Sequence, residues 1–364
     1  MLKKCKLLFL ICLGFGTVYA QNCTQKLVQA ERDYEAGRLA SIPNLIAGCL
    51  DDKTQGFSKE EKIRAYKLLT LVYIFTDDEP NAELALVNLL KEDPEHLLLE
   101  STDPAELFYL YRQFQTDPIF RIGVRFGVNT TFPSVMETFT ASGSPNERKF
   151  YNGGEGSGEL TDLQGALPIG FWGEVTYERH LGLGFEIIGG LQGRISSYDV
   201  DNFFTNEGDQ FSSVVTNNQL YGRVPIYGRY TYKYPRRTGL KPYAFLGASV
   251  DYLLTANYTN ASRDGGAQFT LSADDDLKQF DQVNDLNVSI FGGIGVKIPA
   301  KTHFLTFEVR YDNSLFNYIN AENRYANQSV LFDLGHVEDN LTLNVLSVSV
   351  GYIRSIYNPK KKQK

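Results

Sequence analysis

The clearest pattern in this chain is an alternation of apolar and polar residues between positions 219 and 232. Leu220 and Val224 fall on one parity, whereas Arg223 and Arg229 fall on the other. Successive side chains of a β-strand point to opposite faces of the sheet. The segment therefore predicts a strand with one apolar face and one charged face.

The same alternation recurs in eight segments. These predicted strands cover about 120–131, 167–179, 184–197, 217–233, 241–255, 285–298, 303–316 and 341–356. Three of their connections are short. The other four are long and polar, at about 132–166, 198–216, 256–284 and 317–340. Short turns at one rim and long loops at the other are typical of membrane β-barrels, whereas a soluble β-sandwich has no reason to alternate this way. We therefore expect an eight-stranded antiparallel transmembrane β-barrel over residues 119–357.

In such a barrel the apolar face contacts lipid and the polar face points into the lumen. The inward parity carries five acidic and four basic residues. These are Glu174, Glu178, Glu186, Asp251 and Glu308, with Arg194, Arg223, Arg229 and Arg310. The interior of an eight-stranded barrel is just wide enough for its own side chains to fill it. The near balance of charge therefore predicts a structural network of ion pairs that fills the lumen, and a gated ion path is the alternative.

Residues 21–118 carry helix signals and almost no strand alternation. Ser58 and Glu61 form a capping box at the start of one helix, which continues to about Phe75. Pro80 and Pro104 each mark the start of another helix. Two earlier helices are expected at about 24–35 and around 43–49. The chain is therefore expected to be an α+β multidomain protein, with a helical domain followed by the barrel.

The middle pair of helices resembles a tetratricopeptide repeat, a helical hairpin of 34 residues. The matching positions are Tyr66, Leu69, Thr70, Tyr73, Ala82, Leu86, Leu89 and Pro94. The resemblance implies a stacked repeat with an extended binding surface. An unrelated helical hairpin with a similar apolar stripe is the alternative.

The first twenty residues have the pattern of a secretory signal peptide, with a basic start, a short apolar stretch and cleavage after Ala20. A retained anchor helix is the alternative, but the apolar run is short for a membrane span. Cys23 and Cys49 remain after cleavage, in an oxidising compartment. We expect them to form a disulfide, and two free thiols are the alternative.

The net charge of −7 lies mainly on the helical segment, where 18 acidic residues face 10 basic ones between Gln21 and Pro118. This acidity indicates either a solvated surface or a docking face for a basic partner. Residues 358–364 form a basic tail.

Catalytic chemistry finds little support in the sequence. The four histidines do not combine with cysteines at metal-ligand spacing. No Ser-His-acid set falls on one strand face, and no Gly-rich loop precedes a helix. We therefore expect no catalytic site, no metal, no cofactor and no binding of nucleic acid.

Five runs in the barrel segment stand in a recognisable order. They are Leu220–Tyr230, Leu240–Gly247, Phe291–Val296, Phe307–Tyr311 and Val348–Tyr352. Over residues 120–357 this set resembles the PorT-like outer-membrane β-barrel family typical of Bacteroidota. The resemblance implies a location in the outer membrane, in contact with its lipid. The helical segment departs from the simplest members, which are a bare barrel.

The sequence as a whole predicts an outer-membrane barrel that anchors a periplasmic helical-repeat domain. We expect residues 21–118 to bind a periplasmic or outer-membrane protein, within an envelope, secretion or gliding assembly. A narrow channel or small-ligand transporter is the first alternative, and an outer-membrane enzyme is the second.

Overall fold

The computed structural model describes residues 18–51, 56–99, 103–141, 147–152, 154–155, 168–206, 209–232, 239–264, 276–300 and 302–362. Most of the predicted signal peptide and the last two residues of the predicted tail lie outside these ranges. The chain divides into two compact units. One unit is Met1–Ile119 together with Tyr357–Lys364, and the other is Phe120–Ile356.

The first unit, called here the helical unit, contains five α-helices and a 3₁₀ turn within its described ranges. The helices are α1 (Val18–Glu35), α2 (Ile42–Asp51), α3 (Lys59–Phe75), α4 (Glu79–Glu92) and α5 (Ala105–Arg112), and the 3₁₀ turn is Leu39–Ser41. The predicted helices are thus confirmed, and α1 begins earlier than expected. None of the described helices is long and apolar enough to cross a membrane.

The helix starts follow the capping chemistry of the sequence. The Ser58 hydroxyl accepts the Glu61 N–H at 3.3 Å, and the Glu61 carboxylate accepts the Ser58 N–H at 2.9 Å. This reciprocal pair confirms the predicted capping box. The Asp78 carboxylate accepts the Asn81 N–H as the N-cap of α4, two residues before Pro80.

The helical unit buries apolar side chains between its helices. Leu27 of α1, Ile46 of α2 and Leu69 of α3 belong to one core cluster, and Leu86 of α4 belongs to a second. The predicted disulfide is confirmed, since Cys23 and Cys49 join α1 to α2 with their Cα atoms 5.8 Å apart.

The basic C-terminal tail packs against the helical unit. The Gln115 N–H donates to the Lys360 carbonyl at 2.9 Å, and the Lys362 N–H donates to the Gln113 carbonyl at 2.7 Å. Lys361 forms ion pairs with Glu83 and, at 3.7 Å, with Glu79. Backbone hydrogen bonds and ion pairs therefore hold the described part of the tail on the helical unit, and it is not a freely solvated extension.

The second unit is a closed ring of eight long antiparallel strands. They are β1 (Phe120–Glu137), β4 (Ile169–Gly182), β5 (Phe185–Asn206), β6 (Asp209–Thr231), β7 (Lys241–Asp264), β8 (Leu286–Ala300), β9 (His303–Ser314) and β10 (Asn340–Ile356). Each strand pairs with its neighbour in this order, and β10 pairs with β1 to close the ring. The short strands β2 (Glu147–Tyr151) and β3 (Gly154–Glu155) extend the edge of β5.

The predicted long loop at 198–216 is wrong, because most of it is strand. Tyr198 pairs with Asn217 and the ladder continues to Asn206 and Asp209. The composition is polar, but the inward parity carries Tyr198, Val200 and Val215, which are fully buried. Burial of aromatic and β-branched residues on one face stabilises a hairpin despite its polar outer face. For the same reason β7 continues to Asp264, beyond the predicted end at about 255.

The end of the barrel with the long connections has an apolar core of its own, called here the cap. Its members come from the extended strands and from the loops between them, including a π-helix at Val330–Leu334. They include Tyr151, Tyr198, Val200, Val215, Tyr258, Leu277, Val283, Tyr318, Ile319, Val330, Leu334 and Leu341.

Candidate functional site

The outer face of the barrel is apolar and carries many exposed aromatic side chains. Phe126 and Leu246 are 64% and 68% exposed. Tyr177, Phe185, Tyr230 and Tyr352 lie near the strand ends at the rim of the short turns. An apolar outer face with aromatic residues near a rim is the surface that a barrel presents to a membrane.

All nine predicted lumen residues lie on the inner face and are buried. Four further charged residues, which sequence reasoning missed, lie among them. They are Arg121, Arg125, Lys297 and Asp312. The parity rule could have found them, since each shares the parity of an inward residue on its own strand. The lumen network as described thus contains seven basic and six acidic side chains.

Arg125 of β1 lies at the centre of this network. Its Nε is 2.7 Å from a carboxylate oxygen of Glu308, and its Nη2 donates to Glu178 at 2.9 Å. Its Nη1 lies 3.6 Å from Glu174 and donates to the Tyr227 hydroxyl. One guanidinium therefore connects carboxylates from β4 and β9 across the barrel. The planar guanidinium has five N–H donors in a fork, so one arginine can bind several carboxylates at once.

A second group lies nearer the short turns, around Glu186 of β5. This carboxylate accepts from Arg229 at 2.7 Å and from Lys297 at 2.6 Å, and it also pairs with Arg121. Arg229 in turn pairs with Glu178. The shared carboxylates join this group to that of Arg125.

A third group lies nearer the cap, around Arg223 of β6. Arg223 donates to Asp251, Gln192, Ser249 and Asp312, each at 2.7 Å. Asp312 also accepts from Arg310 at 3.0 Å.

The cap carries a second buried polar cluster, built mostly from neutral donors. Asp339 accepts from Lys149 at 2.8 Å and from the Tyr151 hydroxyl at 2.7 Å. Glu338 accepts from the hydroxyls of Tyr198 and Tyr258. These bonds tie β2, β5 and β7 to the loop that precedes β10, so they fix the cap over its end of the barrel.

Glu338 is buried and is surrounded by hydrogen-bond donors. Burial raises the pKa of its carboxyl, but His336, 3.4 Å away, and the Asn217 amide outweigh that effect and bring the pKa below its usual value. Sequence reasoning did not single out Glu338, because its loop shows no alternation that predicts burial.

The seven basic and six acidic side chains of the lumen network nearly balance in charge, and each lies near an opposite charge. Among the described residues there is no group of three or more His, Cys, Asp or Glu that could hold a metal ion. The charged side chains contact one another across the ring, which is the arrangement of a structural network.

The helical unit offers a surface of a different kind. A cavity of about 1220 Å³ opens between its helices. It is lined by Tyr73, Ile74, Asp77, Glu79, Ala82, Ala105, Glu106, Tyr109, Leu110, Arg112, Gln113, Lys361 and Lys362. This groove, called here the helical groove, combines exposed aromatic and apolar side chains with charges of both signs.

The acidic residues of α1 are less available than the sequence indicates. Glu31 pairs with Arg64 of α3 at 2.6 Å, and Asp33 pairs with Arg38 at 2.5 Å. Asp33 is also buried. These two carboxylates therefore hold the unit together, and the helical groove is the better candidate for contact with a partner.

Comparison with known families and structures extends this picture. A family model described as "Outer membrane protein beta-barrel domain" matches residues 113–320. No curated protein matches the sequence. Among solved structures, Neisserial surface protein A is 10% identical and covers 65% of this chain and 97% of its own, with a TM-score of 0.31.

Two further structures give similar values. The N-terminal β-barrel domain of Pseudomonas aeruginosa OprF is 10% identical over 65% of this chain and 98% of its own, with a TM-score of 0.26. Ail, the attachment invasion locus protein of Yersinia pestis, is 11% identical over 65% of this chain and 99% of its own, with a TM-score of 0.28. At such scores these likenesses carry no argument about the activity of this chain.

Proposed function

This chain belongs to the outer-membrane β-barrel protein family, and we propose that its barrel is a filled anchor that holds the helical unit in the periplasm to bind another envelope protein. The observation that carries the proposal is the lumen network. Each of its thirteen described charged side chains lies within 3.6 Å of an oppositely charged group, which supports a structural role for the interior. The function is then left to surfaces outside the lumen.

The lumen argues against the alternative of a narrow channel. An ion path needs charged or polar groups that can exchange partners with the passing ion. Here Arg125, Arg223 and Arg229 are buried and each pairs with at least two carboxylates. Displacing any of them leaves unpaired buried charges, which is costly.

The helical unit supports the binding role. Helices α3 and α4 form a hairpin in which Leu69, Ala82 and Leu86 are buried, as the resemblance to a tetratricopeptide repeat requires. The helical groove lies beside this hairpin and exposes Tyr109, which is 74% accessible. Exposed aromatic residues in a concave surface are typical of protein-binding sites.

The resemblance to PorT-like barrels supports a role in a secretion or gliding assembly. The short-turn rim carries both ends of the barrel segment, because β1 begins there and β10 ends there. In outer-membrane barrels the short turns face the periplasm. This orientation would place the helical unit and its groove where periplasmic partners reach them.

Affinity purification from native membranes tests the proposal. The tagged full chain should recover a protein partner after cross-linking, and a form that lacks residues 22–117 behind an intact signal should recover none. Tyr109→Glu should weaken recovery through the helical groove. Tyr325→Glu, at a residue of the barrel unit that is 49% exposed, is the matched control and should leave recovery unchanged.

The proposal fails if the deleted form inserts in the membrane and still recovers the same partner. That result would leave the barrel or its long loops as the working part.

A further inference from the structure

The basic tail lies on the helical unit in the manner of a bound extended peptide. Its backbone runs antiparallel to residues 113–115, with Lys361 opposite Phe114. Two backbone hydrogen bonds, of 2.9 and 2.7 Å, flank this pair. Main-chain pairing of this kind accepts many sequences, so side chains must supply the selectivity.

That selectivity comes from acidic residues of the helical unit. The Lys361 ammonium pairs with Glu83 and, at 3.7 Å, with Glu79, which lies one turn earlier on α4. Just before the tail, the Tyr357 hydroxyl donates to Glu95 at 2.7 Å. Three carboxylates therefore hold this segment, and each of them lies outside α1.

The tail is seated on the surface and does not belong to a core. Lys360, Lys361 and Lys362 are exposed, and no described residue of the tail is part of either apolar cluster of the helical unit. The helices bury their apolar side chains against one another without it. A second chain of the same chemistry can therefore replace the tail without unfolding the unit.

The surface beside the tail is acidic. Two of the residues that line the helical groove, Lys361 and Lys362, come from the tail. Without them, the described lining has three acidic side chains and one basic side chain. These are Asp77, Glu79 and Glu106 against Arg112. Release of the tail would therefore leave an acidic face that continues into the helical groove, and such a face attracts a basic chain.

We propose that the face formed by Glu79, Glu83 and residues 113–115 binds an extended, lysine-bearing segment of the envelope partner. The tail occupies this face until the partner segment displaces it. The partner segment would run antiparallel to residues 113–115 and place a lysine opposite Phe114. This inference rests on the proposed function, and it names the chemistry of the partner.

The assignment locates the acidic docking face that the composition indicated. Glu31 and Asp33 of α1 are held by arginines of the helical unit itself. Glu79 and Glu83 pair instead with the exchangeable tail. Because the tail is covalently attached, its effective concentration at the face is high. It would therefore exclude basic chains that bind weakly and without specificity.

A fluorescent peptide with the sequence of residues 357–364 is the probe for this face. Its binding is measured by anisotropy in detergent, to the full chain and to a form that lacks residues 358–364. The deleted form should bind the peptide more tightly than the full chain, by about tenfold or more, since the tethered tail no longer competes. Equal binding by both forms, or no binding by the deleted form, would overturn the proposal.

Charge reversal tests which residues recognise the peptide. In the deleted form, Glu83→Lys should weaken binding of the peptide by about tenfold, because its lysine then meets a like charge. A peptide that carries Lys361→Glu should bind this variant better than it binds the parent. Glu60→Lys, at an exposed residue in the first turn of α3, is the matched control and should leave binding unchanged. Full binding by Glu83→Lys would contradict the assignment, and so would loss of binding in Glu60→Lys.

Helix ellipticity checks the folding of each variant. If the form without residues 358–364 does not fold, Lys361→Glu in the full chain takes its place, because it sets the tail against Glu79 and Glu83. This variant should bind the wild-type peptide more tightly than the full chain does, and absence of that gain would overturn the proposal.

Light scattering in detergent tests the other occupant, which is the tail of a second copy. Dimers of the full chain that Glu83→Lys dissociates would assign the face to self-association and would overturn the proposal. Failure of the peptide tests removes only the chemistry assigned to the partner. Failure of the full chain to recover a partner from membranes would instead remove the proposed function.

Discussion

The helical unit and the barrel sort the same amino acids in opposite ways. In the helical unit, Leu86 and Leu89 are fully buried while most charged side chains are exposed. In the barrel, Arg229 and Glu178 are buried at 1% exposure while leucines and valines cover the outer face. Each unit buries the side chains that its surroundings solvate poorly. The surroundings are water for the helical unit and lipid for the barrel.

This difference changes what an ion pair contributes. The pair of Arg64 with Glu31 in the helical unit is partly exposed to water. Exposed pairs contribute at most about 1 kcal/mol, because water screens them. In the lumen the pairs are closed off, so removing one partner leaves a buried charge without compensation. The same substitution should therefore have unequal effects in the two units.

The largest effect is expected at the centre of the lumen network. Arg125→Met leaves Glu308 without its ion-pair partner and removes one of the two arginines that pair with Glu178, so it should destabilise the barrel by about 3–5 kcal/mol. Arg64→Met in the helical unit should cost less than about 1 kcal/mol. Urea unfolding in detergent, followed by heat-modifiable migration for the barrel and by helix ellipticity for the helical unit, measures both. Equal costs would mean that the lumen is solvated.

Removal of the disulfide should have the opposite distribution of effects, because it should destabilise the helical unit and not the barrel. Replacing Cys23 and Cys49 with serine opens a loop with a sequence separation of 26 residues. In the chain-entropy model this should destabilise the helical unit by about 3.5 kcal/mol. The barrel should be unaffected, since both cysteines lie outside it. A matching loss of barrel stability in the double variant would show that the two units unfold together.

An arginine placed on an exposed apolar position tests the surroundings directly. Val224→Arg, on the outer face of β6, should cost about 2–4 kcal/mol if that position faces the bilayer midplane. Leu84→Arg, at a residue of α4 that is 57% exposed, should change stability by less than about 0.5 kcal/mol. Refolding into lipid vesicles gives the first value and helix ellipticity gives the second. If Val224→Arg left the stability of the barrel unchanged, the assignment of Val224 to the outer face would be wrong.

The smallest effect is expected from pH in the helical unit. Burial raises the pKa of Asp103, but hydrogen bonds from Lys67 and the Leu99 N–H, with the charge of Lys67, bring it below its usual value. A lowered folded-state pKa contributes stability above the unfolded value near ~3.9, and that stability is lost as the pH falls through the folded pKa. In Asp103→Asn the stability of the helical unit should therefore fall less steeply as the pH is lowered into the acid range. An unchanged slope would place the acid sensitivity elsewhere.

Much of both units was predictable from local pattern. Alternation placed the eight long strands, and the capping box at Ser58 placed the start of α3. The nine lumen residues could be predicted because the parity of a residue within its strand is read from the local sequence. Arg125 and Asp312 obey the same parity, so the rule was available for them too.

Long-range packing was not predictable. The hairpin of β5 and β6 beyond Tyr198 depends on burial in the cap, whose members come from loops far apart in sequence. The docking of Lys360–Lys362 on Gln113–Gln115 likewise depends on a contact between distant segments. The pattern within a segment shows which of its faces is apolar, but it does not show which other segments pack against that face.

The central claim is that the barrel is filled by its own charged side chains and serves as an anchor. Conductance of the full chain in a planar lipid bilayer tests this most directly, with insertion verified by protease protection of residues 120–356. The account predicts no current steps above the lipid baseline, at either polarity and at high salt. Reproducible current steps that change with Arg125→Met would contradict it, and would assign the lumen to transport.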